Sequence, residues 1–374
     1  MLDGVHLTLM IGPAVPVPAP RVVMDALRSI SVTHGKDRSG FQIGFAVGRD
    51  SPLLNIMLPA GYFDPIVTRV IIIATVNGIP HVLMDGLVTQ QELTASSEPG
   101  QSTLSITGED LSLAMDIVEM VIPYLQMPIL ARVNLILAKY AFLGIAPVVI
   151  PEFIPTVEVA TRKWESQTTT DRAYLKALAK TIGFVFYVRP GPVPGTSIAY
   201  FGPDINLPIP QPALSINLDA DTNVESLSFT LDGLAKKLTI VNILDPITGK
   251  IIVPIPIPNI SIFHPPLGLR PTPPARIELE GKFAKLPPDK VAAGIIGLLV
   301  NNANAITATG TLDVVRYGRP LHARLLVGVR GAGLAYDGLY YVDSVTHKIK
   351  PGEYKQSFTL SRDGLISNTP KVVP

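Results

Sequence analysis

Along most of this chain apolar and polar positions alternate with a period of two, the pattern of half-buried strands. Ile30 and Val32 alternate with Ser29, Ser31 and Thr33; a turn-rich HGKDRSG follows, and FQIGFAV from Phe41 resumes the pattern. Between Pro65 and Asp85 both phases are apolar, with Val70, Ile72, Ala74 and Val76 on one and Ile71 and Ile73 on the other. That predicts a strand covered on both faces. Asn77-Gly78 predicts a two-residue hairpin turn, because both positions tolerate positive φ. Pro80 lacks an N–H and predicts an edge position for the return strand. Leu87–Thr94, the loop SSEPGQ and Ser102–Thr107 complete a small antiparallel barrel or sandwich.

The period changes at Gly108-Glu109-Asp110. Leu111, Met115, Val118 and Ile122 fall at helical spacing, as do Val133, Ile136, Leu137 and Tyr140 within Arg132–Phe142. Pro147–Pro155 reads as an apolar linker. A third helix starts where Thr170 or Asp171 can cap it, carries Tyr174, Leu175, Leu178, Ala179 and Ile182 on one face, and stops at Gly183, a residue that takes positive φ cheaply. FVFYV is then a strand and RPGPVPG a loop. At the other end, Gly12–Pro20 cannot sustain a helix and predicts an extended arm, either solvated or lying on a neighbouring subunit.

A second β-unit begins at Ser215. Pro246–Asn304 interrupts it, proline-rich and apolar, with a short strand near Ile277–Glu280 and a compact buried helix over Val291–Val300; Thr307 resumes the strand pattern. In the last hairpin Tyr340 and Val342 share one phase while Val345, His347 and Ile349 share the other. A bulge at Asp343-Ser344 brings both sets to one side. Lys350–Glu353 is the turn, and Tyr354, Phe358 and Leu360 alternate along the return.

The two β-units echo each other. PIVTRVII from Pro65 matches PLHARLLV from Pro320; Asp85-Gly86-Leu87 matches Asp337-Gly338-Leu339; STLSITG matches QSFTLSR; and upstream SISVT then FQI matches SINLD then LSF. Four short matches in one order predict a β-unit used twice.

Composition narrows the picture. At 374 residues the chain exceeds one ordinary core. It is 47% hydrophobic, yet no run approaches the ~18 uncharged apolar residues a spanning helix needs, so burial between subunits is the expected use of the excess. No integral membrane segment is expected, and MLDGVHLTLMIG has no basic region of a secretory leader. Net charge is +1 with no basic stripe, which argues against nucleic-acid specificity. Cysteine is absent, excluding disulfides and thiolate chemistry. The 36 prolines argue against a helical bundle.

Chemistry is sparse. The six histidines are scattered without metal-ligand spacing; HExxH, GxSxG and GxxxxGK[ST] are missing. Gly328, Gly331 and Gly333 read as a turn, Asp219 and Asp221 as a solvated loop, Asp171 as a helix-start residue, and His347 as a packed strand residue. No catalytic, metal or cofactor site is expected, and no cofactor.

The run QTTTDRAYLKALAKTIGFVFYV resembles a segment of the phage late control D proteins, the baseplate hubs of contractile tails, whose fold also forms the N-terminal half of type VI secretion spike proteins. The matching residues are Asp171, Leu175, Leu178, Ala179, Gly183, Phe184 and Phe186, and near the C-terminus Gly338, Tyr340, Val342, Val345, His347, Ile349, Gly352, Tyr354, Phe358, Leu360 and Arg362. Asp171, Leu175, Leu178, Gly183, Gly338, Tyr340, His347, Gly352, Tyr354 and Arg362 are therefore taken as structural motif positions. The resemblance implies a mainly β chain with α+β insertions: two similar tube-like antiparallel β-barrels, a mixed middle domain, and assembly as a trimeric ring.

The implied divisions are a first barrel with its arm over 1–112, a middle domain over 113–212, a second barrel over 213–245 and 305–374, and an insertion over 246–304. The implied partners are two further copies, a hexameric inner tube, a trimeric spike and other baseplate proteins. No needle repeat precedes Pro374, so the spike is expected as a separate protein. Such a hub is a structural protein, made in the bacterial cytoplasm and built into a tail or injection particle. A hub of a non-contractile tail, or a cell-wall hydrolase with β accessory domains, are the alternatives.

Overall fold

The computed structural model describes residues 4–13, 15–36, 38–98, 101–124, 127–152, 165–205, 210–244, 251–257, 265–281, 291, 294–295, 298 and 304–369. The first β-unit holds β1 (Val5–Pro13), β2 (Val17–Pro18), α1 (Arg21–Ala26), β3 (Leu27–His34), β4 (Ser39–Ala46), β5 (Thr68–Val76), β6 (Ile79–Thr94) and β7 (Thr103–Asp110). Their lateral order is β3-β4-β7-β6-β5-β1, antiparallel throughout. Asn77 and Gly78 both take positive φ, as the hairpin requires. Ile71 and Ile73 are buried like Val70, Ile72 and Ala74, so β5 is covered on both faces.

One expectation changes here. Pro80 sits in an interior strand, not an edge strand; it is accommodated because β6 meets β7 only from Gly86 onward. The proline-rich arm turns back on its own chain, with β2 lying against β1 and Met10 opposite Pro18.

The middle body contains β8 (Ile122–Tyr124), α2 (Ile129–Ala138), β9 (Ile145–Val149), β10 (Glu165–Gln167), α3 (Asp171–Thr181), β11 (Phe184–Pro190) and β12 (Ser197–Pro203). It has its own core, including Val133, Ile136, Leu137, Leu175, Leu178, Phe184, Phe186 and Phe201. Thr170 caps α3 by accepting from the Ala173 N–H, and Gly183 takes φ +73° just beyond it. The helix expected from Leu111 through Ile122 fails. A 3-10 turn ends at Asp116, Val118 and Val121 face solvent, and Ile122 enters β8, where Pro123 could not have continued a helix. Pro147 lies in β9, whose residues pair in parallel with β12 at the sheet edge; the expected linker therefore starts as a strand. Residues 153–155 of it lie outside the described residues.

The second unit holds β13 (Gln211–Ser215), β14 (Val224–Leu231), β15 (Lys237–Leu244), β16 (Ile251–Ile257), β17 (Gly268–Pro271), β18 (Arg276–Glu280), β19 (Ile306–Asp313), α4 (Val314–Tyr317), β20 (Leu326–Arg330), β21 (Gly338–Lys350), β22 (Glu353–Arg362) and β23 (Gly364–Ser367). β15, β16 and β18 form a separate small sheet; β17 pairs instead with β23, and Asp363 Oδ1 accepts from the Leu267 and Gly268 N–H groups at 2.8 and 3.0 Å at its start. The helix expected over Val291–Val300 lies largely outside the described residues. The bulge falls between Val342 and Ser344, and Tyr340, Val342, Val345, His347 and Ile349 are all buried.

The strand order β14-β19-β22-β21-β20-β13 repeats β3-β4-β7-β6-β5-β1 position for position, although β13 runs parallel to β20 where β1 is antiparallel to β5. Two details fix the register. A bulge follows Val88 in β6 and Val342 in β21. Ile66 and Arg324, both at positive φ, donate their N–H groups to the Val88 and Val342 carbonyls. The upstream sequence matches are thereby corrected: LSF lies in β14, the counterpart of β3, and β4 corresponds to β19. The downstream matches are displaced by two residues, since Val88 pairs with Val342 while Asp85 had been matched to Asp337. A two-residue slip leaves every side chain on its proper face, so alternation alone cannot register it.

Both units belong to one 13-stranded sheet over one hydrophobic core that runs from Leu9 to Leu360. Among the described residues no pairing closes either unit into a barrel; the observed object is a large, mainly antiparallel open sheet. No described helix is long and apolar enough to cross a membrane.

Candidate functional surface

The two units meet where β3 pairs with the second half of β21. His34 stands opposite Val345, Thr33 opposite Thr346, Val32 opposite His347 and Ile30 opposite Ile349. β21 can serve two neighbours on one side because its first half, Gly338 to Tyr341, takes β20.

Alternation places short hydroxyl side chains on the sheet face opposite the core. One row runs Ser226, Thr311, Ser357, Thr346, Thr33 across five strands and through the joint. A second runs Ser228, Thr309, Thr359, Ser344. A third continues Lys348, Ser31, Gln42, Thr107, Gln90 into the first unit. The Thr33 and Thr346 hydroxyls are 3.1 Å apart, and Gln42 Nε2 donates to Ser105 Oγ at 2.8 Å. In the second unit this face forms a trough of about 480 Å³. Such a face offers short hydroxyl groups that can rotate to donate or accept. Most of these hydroxyls sit on regular strand residues, while Ser344 and Ser226 adjoin register shifts.

On the core side of the joint, four histidines that look scattered in sequence come together. His34 and His347 pack edge to face with centroids 5.7 Å apart, and the His81 and His322 rings lie 5.9 Å apart. They line a cavity of about 490 Å³ that also receives Arg189 and Arg324. His347 Nδ1 is hydrogen-bonded to the Tyr354 hydroxyl at 2.7 Å, and His34 Nε2 to the Leu83 carbonyl at 2.6 Å. Burial pushes the His347 pKa well below the usual imidazole value, with His34, His322 and His81 adding to the shift. Burial also lowers His34, against the opposing Leu83 carbonyl. Sequence spacing could not show this cluster, since it is assembled by the pairing of β3 with β21 together with the loop that carries His322. Among the described residues no three His, Asp or Glu side chains are grouped to hold a metal ion.

The motif positions fall into two separate places. In the middle body Asp171 is buried at the start of α3 and accepts from Tyr140 Oη and Gln167 Nε2, each at 2.7 Å, while Lys139 Nζ pairs with it. Leu175 and Leu178 are core. In the second unit Arg362 is fully buried and donates to the carbonyls of Gly364, Asp337 and Ala335, each at 2.8 Å, beneath the Tyr340 ring at 4.4 Å. Gly338 takes φ +122°, and a Cβ there would meet Ser367 at 2.2 Å. Gly352 takes φ +83° in the hairpin turn, and Tyr354 closes over His347. Sequence reading did not pair Arg69 with Asp85, which form a buried bidentate pair with two 2.7 Å contacts. Arg69 also donates to the Gly195 carbonyl at 3.1 Å, and Ser197 Oγ to Asp85 Oδ2 at 3.3 Å, which pins the middle body to the first unit.

No family model matches the sequence, and no match is found among curated proteins. Solved structures do match. A tail protein from Neisseria meningitidis MC58 is similar with a TM-score of 0.59 at 14% identity, over 97% of this chain and 98% of that one. The 43 kDa tail protein of prophage MuSo2 from Shewanella oneidensis is similar with a TM-score of 0.60 at 13% identity, over 96% and 99%. An Escherichia coli component of the type VI secretion system, described as structurally similar to the T4 bacteriophage tail proteins gp27 and gp5, has a TM-score of 0.52 at 11% identity, over 93% and 77%. This chain therefore has the fold shared by these phage tail and type VI secretion proteins.

Proposed function

We propose that this chain is a structural baseplate hub of a contractile injection system or phage tail: a trimer that adapts a hexameric inner tube to a trimeric spike. The observation that carries this reading is the doubled strand order within one sheet. Three chains with two equivalent units each present six similar positions to a sixfold tube, while the complete chains keep a threefold axis for the spike. Closed rotational assembly needs interfaces between unlike surfaces of one subunit, and a 47% hydrophobic chain has apolar surface to supply them.

Each unit acts as a tube-like module, over residues 1–112 and over 213–245 with 305–374; residues 113–212 are a mixed middle domain and 246–304 a proline-rich insertion. The hydroxyl face lines the bore, where its rows of serine and threonine offer cargo few charged or apolar groups to adhere to. The protein is made in the cytoplasm and joins its tube, a spike and other baseplate proteins in the finished particle. It performs no catalysis.

The test is the mass of the purified protein by light scattering, alone and with tube and spike proteins, followed by electron microscopy. Trimeric rings are expected. A monomer at every concentration, with no ring beside its partners, would overturn the reading. A sheath gene beside this one separates a contractile from a non-contractile machine.

A further inference from the structure

The register between the units shows which strand edges are used within the chain and which are left over. β3 gives its outer edge to the second half of β21. Among the described residues its counterpart β14 pairs with β19 alone, and no strand lies along its other edge. The counterpart of the β21 segment is the end of β6. There β7 occupies one side, while β5, on the other, reaches only to Leu87. One chain thus carries one completed joint and the two unmatched halves of a second.

Aligning Val88 with Val342 sets the residue correspondence. Through the pairings Val88–Gly108–Phe41–Val32 and Val342–Leu360–Ala308–Phe229, Val32 corresponds to Phe229, Thr33 to Thr230 and His34 to Leu231. After the bulge, Thr346 corresponds to Glu92 and His347 to Leu93. The side chains fit this use. Leu93 and Leu231 are 50% and 42% exposed, unusual for leucines in strands. They occupy the places of His347 and His34, whose rings touch across the internal joint.

We propose that the free edge of β14 in one copy pairs antiparallel with the end of β6 in a second copy, in the register that joins β3 to β21 within the chain. Glu92 then stands opposite Thr230 and Leu93 opposite Phe229, and Leu93 meets Leu231 diagonally. A leucine pair between copies replaces the histidine pair within one. The contact joins two different surfaces, so each copy offers one edge and receives another, and repetition closes a ring if the rotation allows. Closure at three copies rests on the hub reading above; the strand pairing itself does not. The partner is a second copy because the internal joint supplies the template for both edges.

The chain has no cysteine, so engineered pairs report without background. The probe is the double variant Glu92→Cys/Thr230→Cys, whose counterparts Thr346 and Thr33 have hydroxyls 3.1 Å apart. Mild oxidation is expected to give disulfide-linked dimers and trimers on a non-reducing gel. Neither single variant should cross-link, and Glu92→Cys/Ser226→Cys, displaced along the strand, should remain monomeric on the gel. Leu93→Asp and Leu231→Asp, both at exposed sites, should keep the circular dichroism of the parent while weakening self-association about tenfold or more, the scale of a lost hydrophobic contact. A trimer by light scattering that fails to cross-link in this pair, or that cross-links equally in the displaced pair, overturns the pairing and leaves the hub reading standing. A chain that neither associates nor cross-links overturns both. Cross-linking by either single variant points to a symmetric dimer and also overturns the pairing.

Discussion

His34 and His347 pack edge to face 5.7 Å apart at the strand pair that unites the two repeats. Both have depressed pKa values, chiefly from burial. Below their ordinary pKa the unfolded chain takes up protons that the native joint resists. Their contribution to stability is therefore complete above pH 6.5 and lost as pH falls toward the native values. Denaturant unfolding between about pH 7.5 and about pH 5 should show a loss of roughly 1–3 kcal/mol from these groups. His347→Gln keeps a polar partner for Tyr354 and should flatten that slope; an unchanged slope would assign the acid sensitivity elsewhere.

Arg69 and Asp85 form a bidentate pair inside the first unit. Asp85→Asn leaves a buried guanidinium without its counter-charge and should cost about 3–5 kcal/mol, whereas Arg69→Met/Asp85→Leu should recover much of the loss. Urea unfolding of the two variants measures this. Because Gly195 and Ser197 share the network, the single variant should also speed proteolysis at the middle body.

Arg362 spreads one planar guanidinium over three carbonyls and stacks on Tyr340. Lysine has the charge but not the fork. Arg362→Lys should therefore destabilise nearly as much as Arg362→Met, by about 2–4 kcal/mol, read from thermal unfolding at one pH. Full rescue by lysine would show that charge alone matters there.

Gly338 combines positive φ with a neighbour that leaves no room for a Cβ. Gly338→Ala should cost about 1–3 kcal/mol from backbone strain, with the steric clash added. Hydrogen exchange should place the loosening at β21 and β23, where Ser367 lies.

Local rules were readable in the chain where a residue's own stereochemistry decides its conformation. Asn77-Gly78 makes the turn, Thr170 the cap, Gly183 the stop of α3, and the phase change around Asp343 the bulge. Each follows from positive φ, a side-chain oxygen, or the strict period of a strand. The doubling was readable too, since alternation survives on both copies. Two readings failed where neighbours outweigh periodicity. Leu111–Ile122 has helical spacing, yet Val118 and Val121 find no surface to bury against, and the chain extends instead. Pro147 joins a strand because β12 offers its edge.

By itself the sequence determined that the chain is mainly β, that its β-unit occurs twice, and which face of most strands turns inward, because a period of two is written in them, β5 with both phases apolar excepted. Only the tertiary structure decided the register between the repeats, the single sheet in place of two separate ones, and the meeting of four distant histidines. Those depend on which strand edges pair across long stretches of chain, and a slip by two residues changes the partners without changing the pattern.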